Sequence, residues 1–367
     1  MSVTDSQPEP LTCRAGDTAA SPDTRPGNIP VEIITAREVP LGGPRAMSVR
    51  RTLPQKKRSL IGAWCFVDHY GPDDVSVTGG MDVAPHPHTG LQTVSWLFQG
   101  EIEHIDSGGN RGIVRPGEVN LMTSGTGICH SEVSTAATTD LHGVQLWLAL
   151  PESARHSAPR AFAHHRPNPV SVDGGWLLVF IGQLAGAHSP IATYTPLVGA
   201  EIHIDPGAQV TLEIDPAFEH GVLVDAGAIT LESTSLPAGA IGYTGIGATR
   251  LHLHNASDTP GRVLLIGGEP FAEEIIMWWN FVGRSTEEIE YYREQWQART
   301  DLFGAVEGYV GAGGANSNAE GMSWLPAPTL PPLAFRPRNN PAPHARPDEP
   351  EPGTGSASQV FTGDNSS

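Results

Sequence analysis

The second half of the chain repeats the pattern of the first. Val222–Leu231 parallels Trp96–Ile105, Leu236–Ile241 parallels Val114–Val119, and Arg250–Asn255 falls where His130–Glu132 lies in the first half. A period of roughly 120 to 130 residues is too long for a solenoid and suits a duplicated β-barrel. Within each repeat, short β-like runs are separated by turn signals. Thr93–Phe98 and Glu101–Ile105, joined at Gln99-Gly100, read as a hairpin pair, and Pro116-Gly117 reads as a turn leading into a strand that ends at Met122. Gly (42) and Pro (33) are abundant among the 367 residues, and few stretches sustain a helical period, so an all-β architecture is favoured. One pattern is helical: Thr286 to Arg299, with Ser285 as N-cap, Glu287 and Glu288 in the first turn, and Ile289, Tyr292 and Trp296 on one face.

The expected partition is a disordered tail over 1–28, a first barrel over 29–155, a Pro/His/Arg/Ala linker over 156–168, a second barrel with the helix over 169–303, and a Gly/Pro-rich disordered tail over 304–367. The last of these is dense in proline from Pro326 onward and offers too little apolar surface to offset the entropy of ordering it. Twenty-two basic against 40 acidic residues give a net charge of −18, which argues against direct binding to nucleic acid or to an anionic membrane. No apolar run approaches the ~20 residues that cross a bilayer. The polar N-terminus lacks the apolar core of a signal peptide. Three scattered cysteines, Cys13, Cys65 and Cys129, suggest a reducing compartment without a disulfide framework, and a cytoplasmic location is expected.

His86-Pro87-His88 and His130-Ser131-Glu132 each present two metal-ligand types at i, i+2. On an extended strand such residues share a face. Two such pairs on strands that meet inside a barrel would bring three imidazoles and one carboxylate to one point, a set suited to Fe(II), Zn, Mn, Ni or Cu(II). With 15 histidines in the chain, His86 and His88 alone could equally belong to a solvated loop after Gly79-Gly80. The order of elements favours the metal, since a strand, a turn and a second His with an acid on its own face follow. The other candidates rank lower. Gln145, early in the strand that starts near His142, is expected to neighbour the site and line its pocket. Cys129 should turn into the core, and His104 should be exposed beside the Asp-Ser-Gly-Gly-Asn turn. His164-His165 should be solvated in the linker. In the second repeat, His252 and His254 lack a matching pair and His203 lacks an acid partner.

His86-Pro87-His88-Thr89-Gly90, Asn110-Arg111-Gly112, Pro116-Gly117-Glu118-Val119, Met122 to Ile128 and His130-Ser131-Glu132 resemble, in order, the signature of the pirin family. So do His142 to Trp147, Gly268-Glu269-Pro270 and Trp279-Asn280-Phe281-Val282, and the likeness covers about residues 32 to 303. The resemblance implies a bicupin: two tandem double-stranded β-helix barrels, the first with a mononuclear metal site and the second usually without. Carried over residue by residue, it implies His86, His88, His130 and Glu132 as ligands of one divalent ion, Fe(II) first, with Zn, Mn, Ni, Co or Cu as alternatives. Two departures stand out. Thr89 replaces a basic residue common in the family, and Gln92 replaces a common Glu; the acid ligand on the later strand, Glu132, is retained.

The resemblance further implies quercetin 2,3-dioxygenase activity, in which a flavonol and O2 give a depside and CO. Glu132 would then be both ligand and general base for the substrate hydroxyl. A second implied role is non-catalytic: an iron-binding redox sensor that modulates a transcription regulator or metabolic enzyme through protein contact.

Overall fold

Alternation is plain in the outer sheet of the second barrel. In Gln209–Glu213, Val210 and Leu212 are buried while their neighbours face outward, and Leu251 and Leu253 do the same in Arg250–Asn255. Strands of the larger sheets, such as Leu91–Gln99, Val119–Thr123 and Asp140–Ala149, are instead buried almost throughout in the computed structural model, which describes residues 29–40, 47–332, 334–338 and 340–341. Each barrel has a seven-stranded and a four-stranded sheet. The four-stranded sheet of the first runs Asp82–His88, Ile128–Ser134, Ile102–Asp106, Arg111–Val114; that of the second runs Gln209–Glu213, Arg250–Asn255, Ile229–Leu231, Thr234–Ser235. The positions in the order are the same, as a duplication requires.

The expected hairpin does not form. Leu91–Gln99 pairs with Val119–Thr123 and Asp140–Ala149, whereas Ile102–Asp106 pairs with Ile128–Ser134 and Arg111–Val114 in the other sheet. Gly100, at φ +88°, turns the chain through this corner, where an added Cβ would come 2.6 Å from the Asp140 carbonyl oxygen. Local turn chemistry therefore marked a bend between sheets, not a two-stranded ladder.

The seven-stranded sheets share one apolar core, with Trp64, Trp96 and Leu146 from the first barrel against Phe180, Leu223 and Ile266 from the second. Trp96 stacks on Phe180 with centroids 4.7 Å apart and donates its indole N–H to Glu201 at 2.6 Å. The first described strand ties the barrels further. Glu32–Ile34 precedes the first barrel yet pairs with Ile241–Tyr243 of the second. Arg58, fully buried, reaches Glu32 at 2.9 Å and covers the Tyr243 ring at 3.5 Å. Within the expected linker, Ala161–His165 forms a strand on Val119–Thr123; there His164 meets Asn120 at 2.5 Å while keeping part of its ring in solvent.

The predicted helix spans Thr286–Gln297; the Ser285 hydroxyl accepts from the Glu288 N–H, and Ile289, Tyr292 and Trp296 are buried. Beyond it, the expectation of disorder from residue 304 does not hold for the described residues. Tyr309 and Ala327 are buried, and the Tyr309 hydroxyl donates to Asp82 at 2.7 Å. Proline removes N–H donors but leaves carbonyls, and here the folded body supplies the donors: Trp296 Nε1 to Leu325 O at 2.8 Å and Arg293 Nε to Pro328 O at 2.6 Å. The predicted tails at 1–28 and from 342 onward lie outside the described residues.

Candidate metal centre and its cavity

Asp82–His88 and Ile128–Ser134 are neighbours, with His130 directly opposite His86. The register slips between His130 and Glu132, so that Ala84 and Pro85 together face Ser131. This is a β-bulge, a common device for re-aiming side chains, and it lies on an edge strand, where proline is tolerated at Pro85 and again at Pro87. The carbonyls it frees are used: Ala84 O lies 3.0 Å from His86 Nδ1, and Pro85 O accepts from the Leu325 N–H at 2.9 Å.

His86, His88 and His130 converge, one ring nitrogen of each lying within 4.8 Å of the others. His88 Nε2 and His130 Nε2 are 3.0 Å apart. Burial pushes the His86 pKa down to about 4, and the bond to Ala84 only partly offsets it. Burial, then the neighbouring His86, holds His88 and His130 well below the ordinary imidazole range. The rings are therefore neutral at neutral pH, the ligand-competent form. With Nδ1 of His86 donating to Ala84, its Nε2 lone pair is left free. Glu132 lies in an overlapping group with His130 and His104, its carboxyl pKa raised by burial against the opposing pull of His104, Ser95 and Gln145. Three neutral imidazoles and one carboxylate fit a borderline divalent ion.

His104 is buried, not exposed, because the strand Ile102–Asp106 turns it inward beside Ile128–Ser134. Its Nδ1 is 3.2 Å from His130 Nδ1 and its Nε2 is 3.3 Å from Asp106 Oδ2. If His104 donates to Asp106, it accepts from His130 Nδ1–H, which leaves His130 Nε2 unprotonated and aimed at His88. A backing bond of this kind is one that would orient an imidazole toward a metal. His104 and Asp106 are again an i, i+2 pair, so the spacing that singled out the other two could have found this one.

Gln145 lines the cavity of about 510 Å³ onto which His86, His88 and Glu132 open, and accepts from the Ser95 hydroxyl at 2.9 Å. Its walls include Phe66 stacked on Trp147 at 4.0 Å, with Met277, Trp279 and Asn280. Phe281–Gly283 runs beside the ligand strand, with Val282 N–H on Thr89 O at 3.1 Å, so close that a Cβ on Gly90 (φ +68°) would meet Val282 O at 2.3 Å. Met322, Leu325, Pro326 and Arg338, from the segment expected to be disordered, complete the wall. Gln92 is turned away to donate to Thr123 at 2.9 Å. Cys129 packs with Phe281 and Phe303 as expected, and Cys65 is a second buried free thiol, its pKa pushed up to about 12 by burial.

His142 leaves this cavity for a second cluster, between the barrels. Its Nε2 lies 2.6 Å from Asp225 Oδ1, and that of His69 lies 2.8 Å from the same oxygen. Arg262 holds Asp225 Oδ2 at 2.6 Å, and the other ring nitrogens face Arg262 and Arg50 at 3.4 Å. Burial alone would raise the Asp225 pKa; the bonds from His142 and His69 and the charge of Arg262 outweigh it and hold the carboxyl far below the usual range. Asp225 and both imidazoles have partners, and two guanidiniums repel a cation. The cluster joins the barrels, its Asp225 carboxylate already engaged by His69, His142 and Arg262.

In the second barrel His252 and His254 lie on the outward face of their strand. His203 does have an acid partner, Glu201 at 2.5 Å, because the two stand at i, i+2 on one strand.

Residues 46–148 match the family described as Pirin and 199–301 match the Pirin C-terminal cupin domain. A Pseudomonas aeruginosa protein provisionally named quercetin 2,3-dioxygenase is 42% identical over 279 residues, 76% of this chain and 87% of that protein. A crystal structure of quercetin 2,3-dioxygenase from Acinetobacter baumannii is 35% identical with a TM-score of 0.76, covering 84% of this chain and 97% of that one. A bacterial pirin of Escherichia coli in complex with nickel(II) shares the fold at 20% identity and a TM-score of 0.50, over 65% of this chain and 99% of its own. With both family domains matched in order and the first barrel's ligand-type residues gathered at one cavity, the chain belongs to the pirin family.

Proposed function

We propose that this chain is a metal-dependent dioxygenase of the quercetin 2,3-dioxygenase type, with one Fe(II) held by His86, His88, His130 and Glu132. The observation that carries the proposal is the set of neutral, converging imidazoles opening onto an aromatic-walled cavity. Similarity to quercetin 2,3-dioxygenases supports the substrate class, a flavonol or a related enolizable phenol. The bound ion would supply Lewis acidity and open positions for an enolate and O2.

The protein's own groups do the rest. Burial makes Glu132 a stronger base than a solvated carboxylate, suited to take the proton from the substrate hydroxyl. Ser95, between Glu132 Oε1 at 3.4 Å and Gln145 Oε1 at 2.9 Å, orients that carboxylate. The Phe66–Trp147 stack offers a flat apolar face to a planar ring, and Leu325 and Pro326 help keep water out.

The test is O2 uptake by the Fe(II)-loaded protein with a flavonol panel. Wild type should consume O2 with the flavonol, and His88→Ala and Glu132→Ala should abolish this uptake. Uptake unchanged in either variant sinks the assignment.

A further inference from the structure

Three guanidiniums line the metal cavity, those of Arg37, Arg51 and Arg338, in a chain whose net charge is −18. Arg51 is accounted for: it grips Asp68 through two hydrogen bonds of 2.7 Å and lies over Phe66 at 4.3 Å. The other two are not. Arg37 donates to one backbone carbonyl, Pro54 O, at 3.1 Å, and among the described residues neither Arg37 nor Arg338 is in an ion pair. Burial, and after it the like charge of Arg37, lowers the Arg338 pKa. Yet Arg338 is held in place from both sides. Its own N–H bonds Ile275 O at 2.7 Å, and two residues on, the Asn340 side chain accepts from Ser59 and Leu60 N–H groups at 2.9 Å and donates to Leu60 O at 2.8 Å. Two cations thus stand in the cavity wall, Arg37 on an exposed strand and Arg338 half-buried; Asp68, whose carboxylate feels Arg37, is already gripped by Arg51, and among the described residues no carboxylate is in an ion pair with either cation, an arrangement that a bound anion completes.

We infer that Arg37 and Arg338 form an anion subsite, so that the preferred substrate is an aromatic chelator carrying a carboxylate in addition to its metal-directed oxygens. The inference rests on the proposed reading of this cavity as the substrate site. It assigns a recognition role to the C-terminal segment that carries Arg338: the metal and Glu132 engage the enol end, the Phe66–Trp147 face takes the ring, and the guanidiniums take the far charge.

Isothermal titration of the metal-loaded and metal-free protein with 3,4-dihydroxybenzoate and with 3,4-dihydroxybenzyl alcohol isolates the carboxylate, since the two share the catechol. Wild type should bind the benzoate at least about tenfold more tightly, as expected for one charge-assisted contact. Arg338→Gln and Arg37→Gln should each bring the ratio toward one, with thermal melts checking that both variants fold. A ratio near one in wild type, no detectable binding of the benzoate, or a ratio preserved in both folded variants overturns the subsite. Because the readout needs no turnover, absent flavonol oxidation with an intact benzoate preference would remove the dioxygenase reading and leave the subsite standing. Flavonol oxidation without that preference would do the reverse.

Discussion

The two barrels have the same strand order but opposite interiors. Where Asp82–His88 and Ile128–Ser134 turn His86, His88, His130 and Glu132 inward, the equivalent pair in the second barrel turns in Val210, Leu212, Leu251 and Leu253. In the second barrel Val210 sits opposite Leu253 and Leu212 opposite Leu251, without a slip, and all four join its apolar core. In the first, the bulge at Ala84-Pro85 shifts the register and frees carbonyls. One scaffold can therefore spend its interior on stability or on a polar site, and the polar version needs outer partners such as Ala84, His104 and Asp106 to hold neutral rings in place.

The largest test of this contrast exchanges truncations at matched strands. His130→Ala should take metal content from one ion per chain to none by elemental analysis. Leu253→Ala should leave it at one and instead cost about 2–5 kcal/mol of folding stability in denaturant titrations, as for other buried leucines. If Leu253→Ala removed the metal, the barrels would not be independent in this respect.

The join between them comes next. Asp225→Ala strands His69, His142 and Arg262 without their shared acceptor and should cost about 3–5 kcal/mol, the scale for breaking a buried ion pair from one side. Urea unfolding would measure the loss, and an unchanged midpoint would mean that the cluster contributes nothing to cohesion.

Acid should weaken both barrels. Burial holds His86 at about 4 and His220, in the second barrel, at about 3, whereas an unfolded histidine titrates near 6.5. Below about 6.5 the unfolded chain binds protons that the folded chain refuses, so stability is full above that value and falls as the pH drops toward 4 and then 3. For His86 alone this amounts to on the order of 3 kcal/mol. Thermal melts of metal-free protein from pH 7 to pH 4 should show the decline, and His220→Leu should flatten it; equal slopes would reject the role given to His220.

The smallest expected effect is that of His104→Leu. Loss of the group behind His130 should weaken metal affinity by about tenfold while leaving the stoichiometry at one, measured by competition with a chelator. Complete loss of metal would instead make His104 a direct ligand.

Much of the site was legible in the chain because strand periodicity is a local property. The i, i+2 spacing of His86/His88 and of His130/Glu132 needed only an extended backbone to place each pair on one face, and the capping Ser285 fixed the helix start in the same local way. Spacing alone was not enough at His252 and His254, which share the i, i+2 pattern but lack a matching pair and lie on an outward face, since alternation does not say which face meets the core. It also failed at Gln99-Gly100, where a turn joined two different sheets.

The sequence by itself determined the duplication, the all-β architecture, the helix and the four ligand-type residues, all of which follow from short-range periodicity and residue chemistry. Only the tertiary structure decided that a bulge aims Glu132, that His104 backs His130, that Asp225 of one barrel binds histidines of the other, and that residues near 325 and 338 wall the cavity. Most of these are contacts between segments far apart in the chain, such as Leu325 on Pro85, 240 residues away, and they depend on where closed barrels bring the backbone, which a local pattern does not fix.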